Sequence, residues 1–211
     1  LFTDIAGFTG LAEGMESGKL VKMLNAYLDG MSKIVGAHGG TLDKFLGDGL
    51  MAEFGVPFDV PEHELRSVLV ALEMVEQVEE FNAEHKLEEQ GLSPLSIGVG
   101  IATGPVVAGN IGSPERMEYT TIGDTVNFAA RLEALNKSMG TLIIISAATA
   151  AAIGDALPLD RLPPVQVKGK SGEPELYAVA RGSISLELRA KLKARVKAAE
   201  LTKTTGSAPK S

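Results

Sequence analysis

Two aspartates stand where a chain could hold a divalent cation. Asp4 lies in Phe2-Thr3-Asp4-Ile5-Ala6-Gly7-Phe8-Thr9, and Asp48 in Lys44-Phe45-Leu46-Gly47-Asp48-Gly49. Each closes an apolar run and is followed by a glycine within three residues. If the two runs are neighbouring strands, their ends bring two carboxylates together beside a glycine-bearing loop. Mg²⁺ suits such a place, because it takes few protein carboxylates and fills its octahedron with waters and substrate phosphates. Two metals shared by two aspartates is a recurring solution for phosphoryl transfer. Taken singly, either aspartate also suits a plain turn.

A second constellation is Tyr119-Thr120-Thr121-Ile122-Gly123-Asp124-Thr125-Val126-Asn127-Phe128-Ala129-Ala130-Arg131-Leu132. Asn127 and Arg131 are i and i+4, so on a helix they share one face. A guanidinium fork with an amide one turn before it suits a charged phosphorus centre and a sugar oxygen; a solvated surface pair is the plain alternative. Asp124 has the position of a helix N-cap. In Val167-Lys168-Gly169-Lys170 a strand lysine beside glycine suits a phosphate, or only a turn.

These residues need elements to carry them. Leu1–Ile5 reads as a buried strand. From Ser17 apolar residues recur at three and four through Val35, a helix that stops at the Gly36, Gly39, Gly40 cluster. Thr41–Gly55 reads as two strands joined at Gly47-Asp48-Gly49, since Asp-Gly between apolar runs is a strong hairpin signal. A second helix spans Glu62–Glu89. Ser96–Ile101 and Val106–Ile111 read as a strand pair, and Glu118–Ile122 as a strand leading into a helix over Asp124–Asn136. Leu142–Ile145 is a strand and Ala147–Ile153 a short helix; Val165–Lys168 and Leu176–Ala180 are closing strands. Long helices among six to eight strands with hairpins point to α+β.

Composition narrows the function. The 211 residues are 45% hydrophobic and 22% charged, as in ordinary globular chains. There is no cysteine, which excludes disulfides, thiolate catalysis and zinc ribbons. His38, His63 and His85 lack metal-ligand spacing. The net charge is −7; from Gly182 on, seven basic and two acidic residues give +5, leaving −12 on residues 1–181. A body that acidic is a poor nucleic-acid surface. After Arg181 the character changes: Leu186, Leu188, Leu192 and Val196 among basic residues predict a solvated helix, and Thr202–Ser211 is polar enough for disorder. The chain opens at Leu1 inside a strand-like run, as a piece of a longer protein would. Gly169-Lys170-Ser171 is no P-loop, because Pro164 stands where the first glycine must be. Gly98, Gly100 and Gly104 have the wrong spacing for a dinucleotide fingerprint.

Together, Phe-Thr-Asp-Ile-x-Gly-Phe-Thr, Lys-Phe-x-Gly-Asp-Gly and Tyr-Thr-x-Ile-Gly-Asp-x-Val-Asn-x-Ala-Ala-Arg-Leu, in this order and spacing, resemble the class III nucleotidyl cyclase catalytic domain. The resemblance covers Leu1 to about Arg181. It implies an α+β fold with a ferredoxin-like, palm-type core, its antiparallel-rich sheet packed by helices, followed by a basic tail over 182–211. It also implies a cytoplasmic catalytic domain with a sensor or membrane module upstream. Activity would belong to a head-to-tail homodimer with its sites in the interface, metal ligands from one chain meeting base and transition-state residues from the other. Lys44 and Asp48 would then serve different sites.

Carried over by position, Asp4, Asp48 and the Ile5 carbonyl would bind two divalent cations, Mg²⁺ or Mn²⁺. The Gly7-Phe8-Thr9 turn would offer N–H groups to phosphates. Lys44 and Thr120 match the purine-reading positions, Asn127 the ribose position and Arg131 the one that stabilises the pentavalent phosphorus. Lys168 matches the phosphate lysine, with Lys170 second. Some relatives carry a phosphate-binding arginine near Pro105; proline there implies weaker phosphate contacts. Lysine donates to adenine N1 and a threonine hydroxyl accepts from N6, whereas guanine reverses that edge. The substrate implied is therefore ATP and the activity that of an adenylate cyclase, a phosphorus–oxygen lyase. The alternatives are a guanylate cyclase, disfavoured by Lys44, and a catalytically silent dimerising module. A diguanylate cyclase would need a Gly-Gly-acidic-Glu-Phe hairpin, which is absent.

Overall fold

A computed structural model of the chain describes residues 1–170, 172–180 and 184–206. Nine strands and six α-helices occur among them: β1 (Phe2–Ile5), α1 (Phe8–Gly14), α2 (Ser17–Ala37), β2 (Thr41–Leu46), β3 (Gly49–Glu53), α3 (His63–His85), β4 (Ile97–Ile101), β5 (Val107–Ser113), β6 (Arg116–Ile122), α4 (Asp124–Met139), β7 (Ile143–Ser146), α5 (Ala147–Ile153), β8 (Leu159–Arg161), β9 (Leu176–Val179) and α6 (Leu186–Gly206). Seven strands form one sheet in the order β2-β3-β1-β4-β7-β9-β8, in which only the β4–β7 pair is parallel. Strands β5 and β6 form a separate antiparallel ribbon. The fold is α+β with a mostly antiparallel sheet, as expected.

Strand alternation sorts the core into two layers. Ile143 and Ile145 of β7 join the large cluster built with α2 and α3, while Ile144 between them joins Leu132 of α4, Val167 and Leu176 on the other face. In β4, Ile97, Val99 and Ile101 face the large cluster. The intervening Gly98 and Gly100 therefore lie under α4. A methyl on Gly100 would stand 2.2 Å from the Glu133 amide nitrogen and 2.3 Å from the Ala129 carbonyl, so these glycines set how closely α4 approaches the sheet.

Four expectations need correction. The 96–101 and 106–111 segments do not pair: β4, buried at every position, is the sheet's centre between β1 and β7, and β5 pairs with β6. Val165–Lys168 is no strand, since Pro163 and Pro164 remove backbone donors just before it; β8 takes the edge beside β9. Helix α1, with Gly10 and Gly14 inside it, carried no periodic signal. The basic tail is not a solvated helix: α6 buries Leu192 and Val196 in the large cluster, each worth about 1.5–3 kcal/mol. Its charges meet the α3 side through Arg189–Glu76, Lys193–Glu73, Arg195–Glu62 and Lys203–Asp59. Buried Arg66 of α3 reaches back to Glu200 at 2.7 Å. Helix α6 also runs past Thr202, where disorder was expected to begin. The 181/182 boundary and residues 207–211 of that stretch lie outside the described residues. Among the described residues no helix is long and apolar enough to cross a membrane.

Candidate active site

Strand β1 lies between β3 and β4, with Asp4 opposite Gly98. Asp48 sits at the β2–β3 turn, after Gly47 at φ +68°. Glycine is also required at the next position: a Cβ on Gly49 would lie 2.2 Å from the Thr3 carbonyl oxygen and 3.0 Å from Asp4 Oδ1. The two aspartates thus come together, and the Ile5 N–H donates to Asp48 Oδ2 at 3.3 Å. Burial, then the negative charge of Asp48 and a hydrogen bond to it, push the Asp4 carboxyl up to about 6. The Glu133 carboxyl is pushed up to about 7, by burial first and then by Asp4 and Asp48. Among the described residues no cationic side chain pairs with Asp4 or Asp48, and no group of three or more His, Cys, Asp or Glu is placed to hold a metal. Two carboxylates in unrelieved repulsion, both hard oxygen donors, fit a small divalent cation that completes its shell with substrate and water. Next to them, Gly7 at φ +75° opens α1 without a side-chain cap.

These shifts give a stability test. A carboxyl whose folded pKa is raised binds its proton more tightly in the folded chain, so its stabilising effect is present in acid and lost as pH rises through about 6 to 7. Without metal, the melting temperature is expected to fall from pH 5.5 to pH 8, and Mn²⁺ is expected to raise it more at pH 8, where protons no longer compete. Asp48→Asn should melt higher than the parent at pH 8 and lose the Mn²⁺ response. A calorimetric profile in which parent and variant respond alike would remove this pair as a cation site.

Lys44 and Thr120 form a second cluster. The Thr120 hydroxyl donates to Asp43 Oδ2 at 2.6 Å, and Lys44 Nζ stands 3.0 Å from Glu118 Oε2 and 3.3 Å from Asp43 Oδ1. The Glu118 bond, with Asp43, holds the Lys44 ammonium above its usual range. Around them Phe45, Leu46, Val107, Met117, Tyr119 and Ile122 are exposed on the β2–β3 hairpin and the β5–β6 ribbon, an apolar face of the kind that marks an interface.

Helix α4 carries the third cluster. Its cap is Gly123, at φ +144°, rather than Asp124; Asp124 sits in the first turn and binds the Lys170 ammonium, which also lies 4.5 Å from the Phe128 ring centre. Lys170 is thereby occupied, while Lys168 is exposed and unpaired among the described residues. The Arg131 guanidinium packs on the Lys168–Lys170 turn, where a Cβ at Gly169 would lie 3.0 Å from both terminal nitrogens. Among the described residues neither Asn127 nor Arg131 has a side-chain hydrogen-bond or ion-pair partner. Arg131 and Glu133 are two residues, about 200°, apart around the helix. One face of α4 therefore bounds the carboxylate pair and another presents Arg131.

No hydrogen bond or ion pair among the described residues joins Asp4 or Asp48 to Lys44, Thr120, Asn127 or Arg131. Sequence reasoning missed Glu133, Glu118 and Asp43. No local signal marks Glu133, and Asp43 is turned toward Thr120 by the irregular β2–β3 register, which alternation does not report.

The profile of the adenylate and guanylate cyclase catalytic domain matches residues 1–181. Adenylate cyclase 1 of Rhizobium meliloti (strain 1021) is 37% identical over 179 residues, 85% of this chain and 27% of that protein, so the chain spans about a quarter of this relative's length. Among solved structures, the adenylyl cyclase CyaB from P. aeruginosa superposes with a TM-score of 0.78 at 36% identity, over 87% of this chain and 94% of that one. The guanylyl cyclase Cya2 superposes at 0.76 and 37%, over 85% and 89%.

Proposed function

The chain belongs to the adenylate and guanylate cyclase catalytic domain family, and from that premise we propose that it converts ATP to 3′,5′-cyclic AMP and pyrophosphate at sites shared across a homodimer. The observation that carries the reading is the Asp4–Asp48 pair, without a cationic partner among the described residues and with the Asp4 carboxyl raised to about 6. The likeness to both an adenylyl and a guanylyl cyclase leaves the base to the residues that read it. Here those are Lys44, a donor, and Thr120.

Asp4, Asp48 and the Ile5 carbonyl would hold two divalent cations. Bound there, such cations would supply Lewis acidity that lowers the pKa of the ribose 3′-hydroxyl and charge that offsets the pyrophosphate. The Gly7, Phe8 and Thr9 amides, lacking intrahelical partners at the start of α1, receive β- and γ-phosphate oxygens. From the other chain, Asn127 orients the ribose and Arg131 meets the charge that builds on the α-phosphorus, neither having a side-chain hydrogen-bond or ion-pair partner among the described residues. Lys168 serves the phosphates; Lys170, tied to Asp124, serves α4. The 3′-oxygen bonds to the α-phosphorus as the bond to the leaving pyrophosphate breaks in line. The exposed apolar face beside Lys44 and Thr120 buries itself in the dimer.

Incubating the chain with Mn²⁺ and ATP, with GTP in parallel, over a range of protein concentrations tests this. Cyclic AMP, with specific activity that rises with concentration, is the expected product. A folded dimer that makes no cyclic nucleotide would be a silent module, and one that prefers GTP a guanylate cyclase.

A further inference from the structure

Beneath the base-reading pair lies a carboxylate that no motif singled out. Asp43 precedes Lys44 in β2, yet its side chain is 1% exposed, against 32% for Lys44. The cause is a register shift between Leu42 and Lys44: Leu42 pairs with Ala52 and Lys44 with Met51, leaving Asp43 as the extra residue of a β-bulge. Such a bulge re-aims a side chain. Here it turns Asp43 toward β6, where Oδ2 accepts from the Thr120 hydroxyl at 2.6 Å and from the Thr121 N–H at 3.4 Å. The other oxygen, Oδ1, stands 3.3 Å from Lys44 Nζ. One buried carboxylate thus touches both members of the Lys44–Thr120 pair.

A hydroxyl has one proton and two lone pairs. With its proton given to Asp43, Thr120 can only accept from anything that reaches it. A purine edge carrying an amino group satisfies that oxygen; an edge carrying a carbonyl sets lone pair against lone pair, an expensive mismatch when water is excluded. We propose that Asp43 is the positioning residue for base selectivity: it commits the Thr120 proton inward, anchors Lys44 alongside, and so makes the pair accept an amino-bearing purine and refuse an oxo one. The proposal rests on the reading of Lys44 and Thr120 as the base-reading residues.

The surroundings keep Asp43 an acceptor. Its Oδ2 takes the Thr121 N–H, which can only donate, and its Oδ1 faces the Lys44 ammonium at 3.3 Å, while burial first and then Asp43 hold the neighbouring Glu53 carboxyl above its usual range. Glu53 in turn accepts from the Thr121 hydroxyl.

Asp43→Asn keeps the size and reverses the logic, because an amide N–H can donate to Thr120 and free its hydroxyl proton for a carbonyl. The measurement is kcat/KM for ATP, for GTP and for purine riboside triphosphate, which lacks the amino group. In the parent, ATP is expected to lead both. In Asp43→Asn, the ATP-over-GTP and ATP-over-purine ratios should each fall about tenfold or more, while the inhibition constant of pyrophosphate stays put. In a Thr120→Ala background the Asp43 substitution should leave the ATP-over-purine ratio unchanged, since its route runs through that hydroxyl. If Asp43→Asn melts early, Asp43→Ser must show the same loss of selectivity. Unchanged ratios, or an equal fall for all three nucleotides, would overturn the role of Asp43 alone. A parent chain without preference for ATP would overturn the base reading and this proposal with it.

Discussion

Asp48→Ala is expected to lower cyclic AMP formation by about a thousandfold or more while the chain stays folded and, on the proposed reading, dimeric. The expectation follows from position. Asp48 holds a turn whose backbone is set by Gly47 and Gly49, so removal of the carboxylate leaves the hairpin intact; it takes away half of the carboxylate pair proposed to hold the cations. Losing one catalytic charge of this kind costs several kcal/mol of transition-state stabilisation. Arg131→Ala should be comparably inactive for a different reason, since its guanidinium has no hydrogen-bond or ion-pair partner among the described residues and is left for the charge at phosphorus. Mixing the two variants then separates a shared site from a self-contained one. At equal amounts half the dimers are mixed, and each mixed dimer has one site with both defects and one with neither. Activity should return to about a quarter of the parent level by that count for a two-fold dimer. Mixtures as inactive as their components would rule out sites built from two chains.

Lys44→Glu is expected to cut kcat/KM for ATP by about a hundredfold and to raise GTP relative to ATP. The adenine edge offers an acceptor at N1, which a lysine donor satisfies and a carboxylate opposes. Within the chain, Lys44 lies 3.3 Å from Asp43 and 3.0 Å from Glu118, so a glutamate there also meets two like charges. Thermal melting must therefore accompany the kinetics. An intact variant whose ATP-over-GTP ratio matches the parent would show that Lys44 does not read the base.

Much of the candidate site could be read before any fold was known, because its parts are local. Asp-Gly after an apolar run predicts the hairpin that carries Asp48, and i, i+4 spacing puts Asn127 and Arg131 on one helical face. Both signals depend on backbone geometry within a few residues. Asp43 illustrates the opposite case. Alternation sends it to the face away from Lys44, and only the pairing of β2 with β3 creates the bulge that turns it inward. Glu133 is similar, for its carboxyl is raised by Asp4 and Asp48, far from it in the chain.

The sequence by itself determined most of the elements (α1 and β8 excepted), the α+β class, the hairpin and helix that bear the chemistry, and a family resemblance in the order of three motifs. Tertiary structure alone decided that β4 pairs with β1 and β7 rather than with β5, that Gly98 and Gly100 admit α4 against the sheet, and that the basic α6 folds back onto acidic α3 instead of standing in solvent. The physical reason is common to all three. Periodicity reports that one face of an element will be buried, but which element covers it depends on shape and charge brought together from distant parts of the chain.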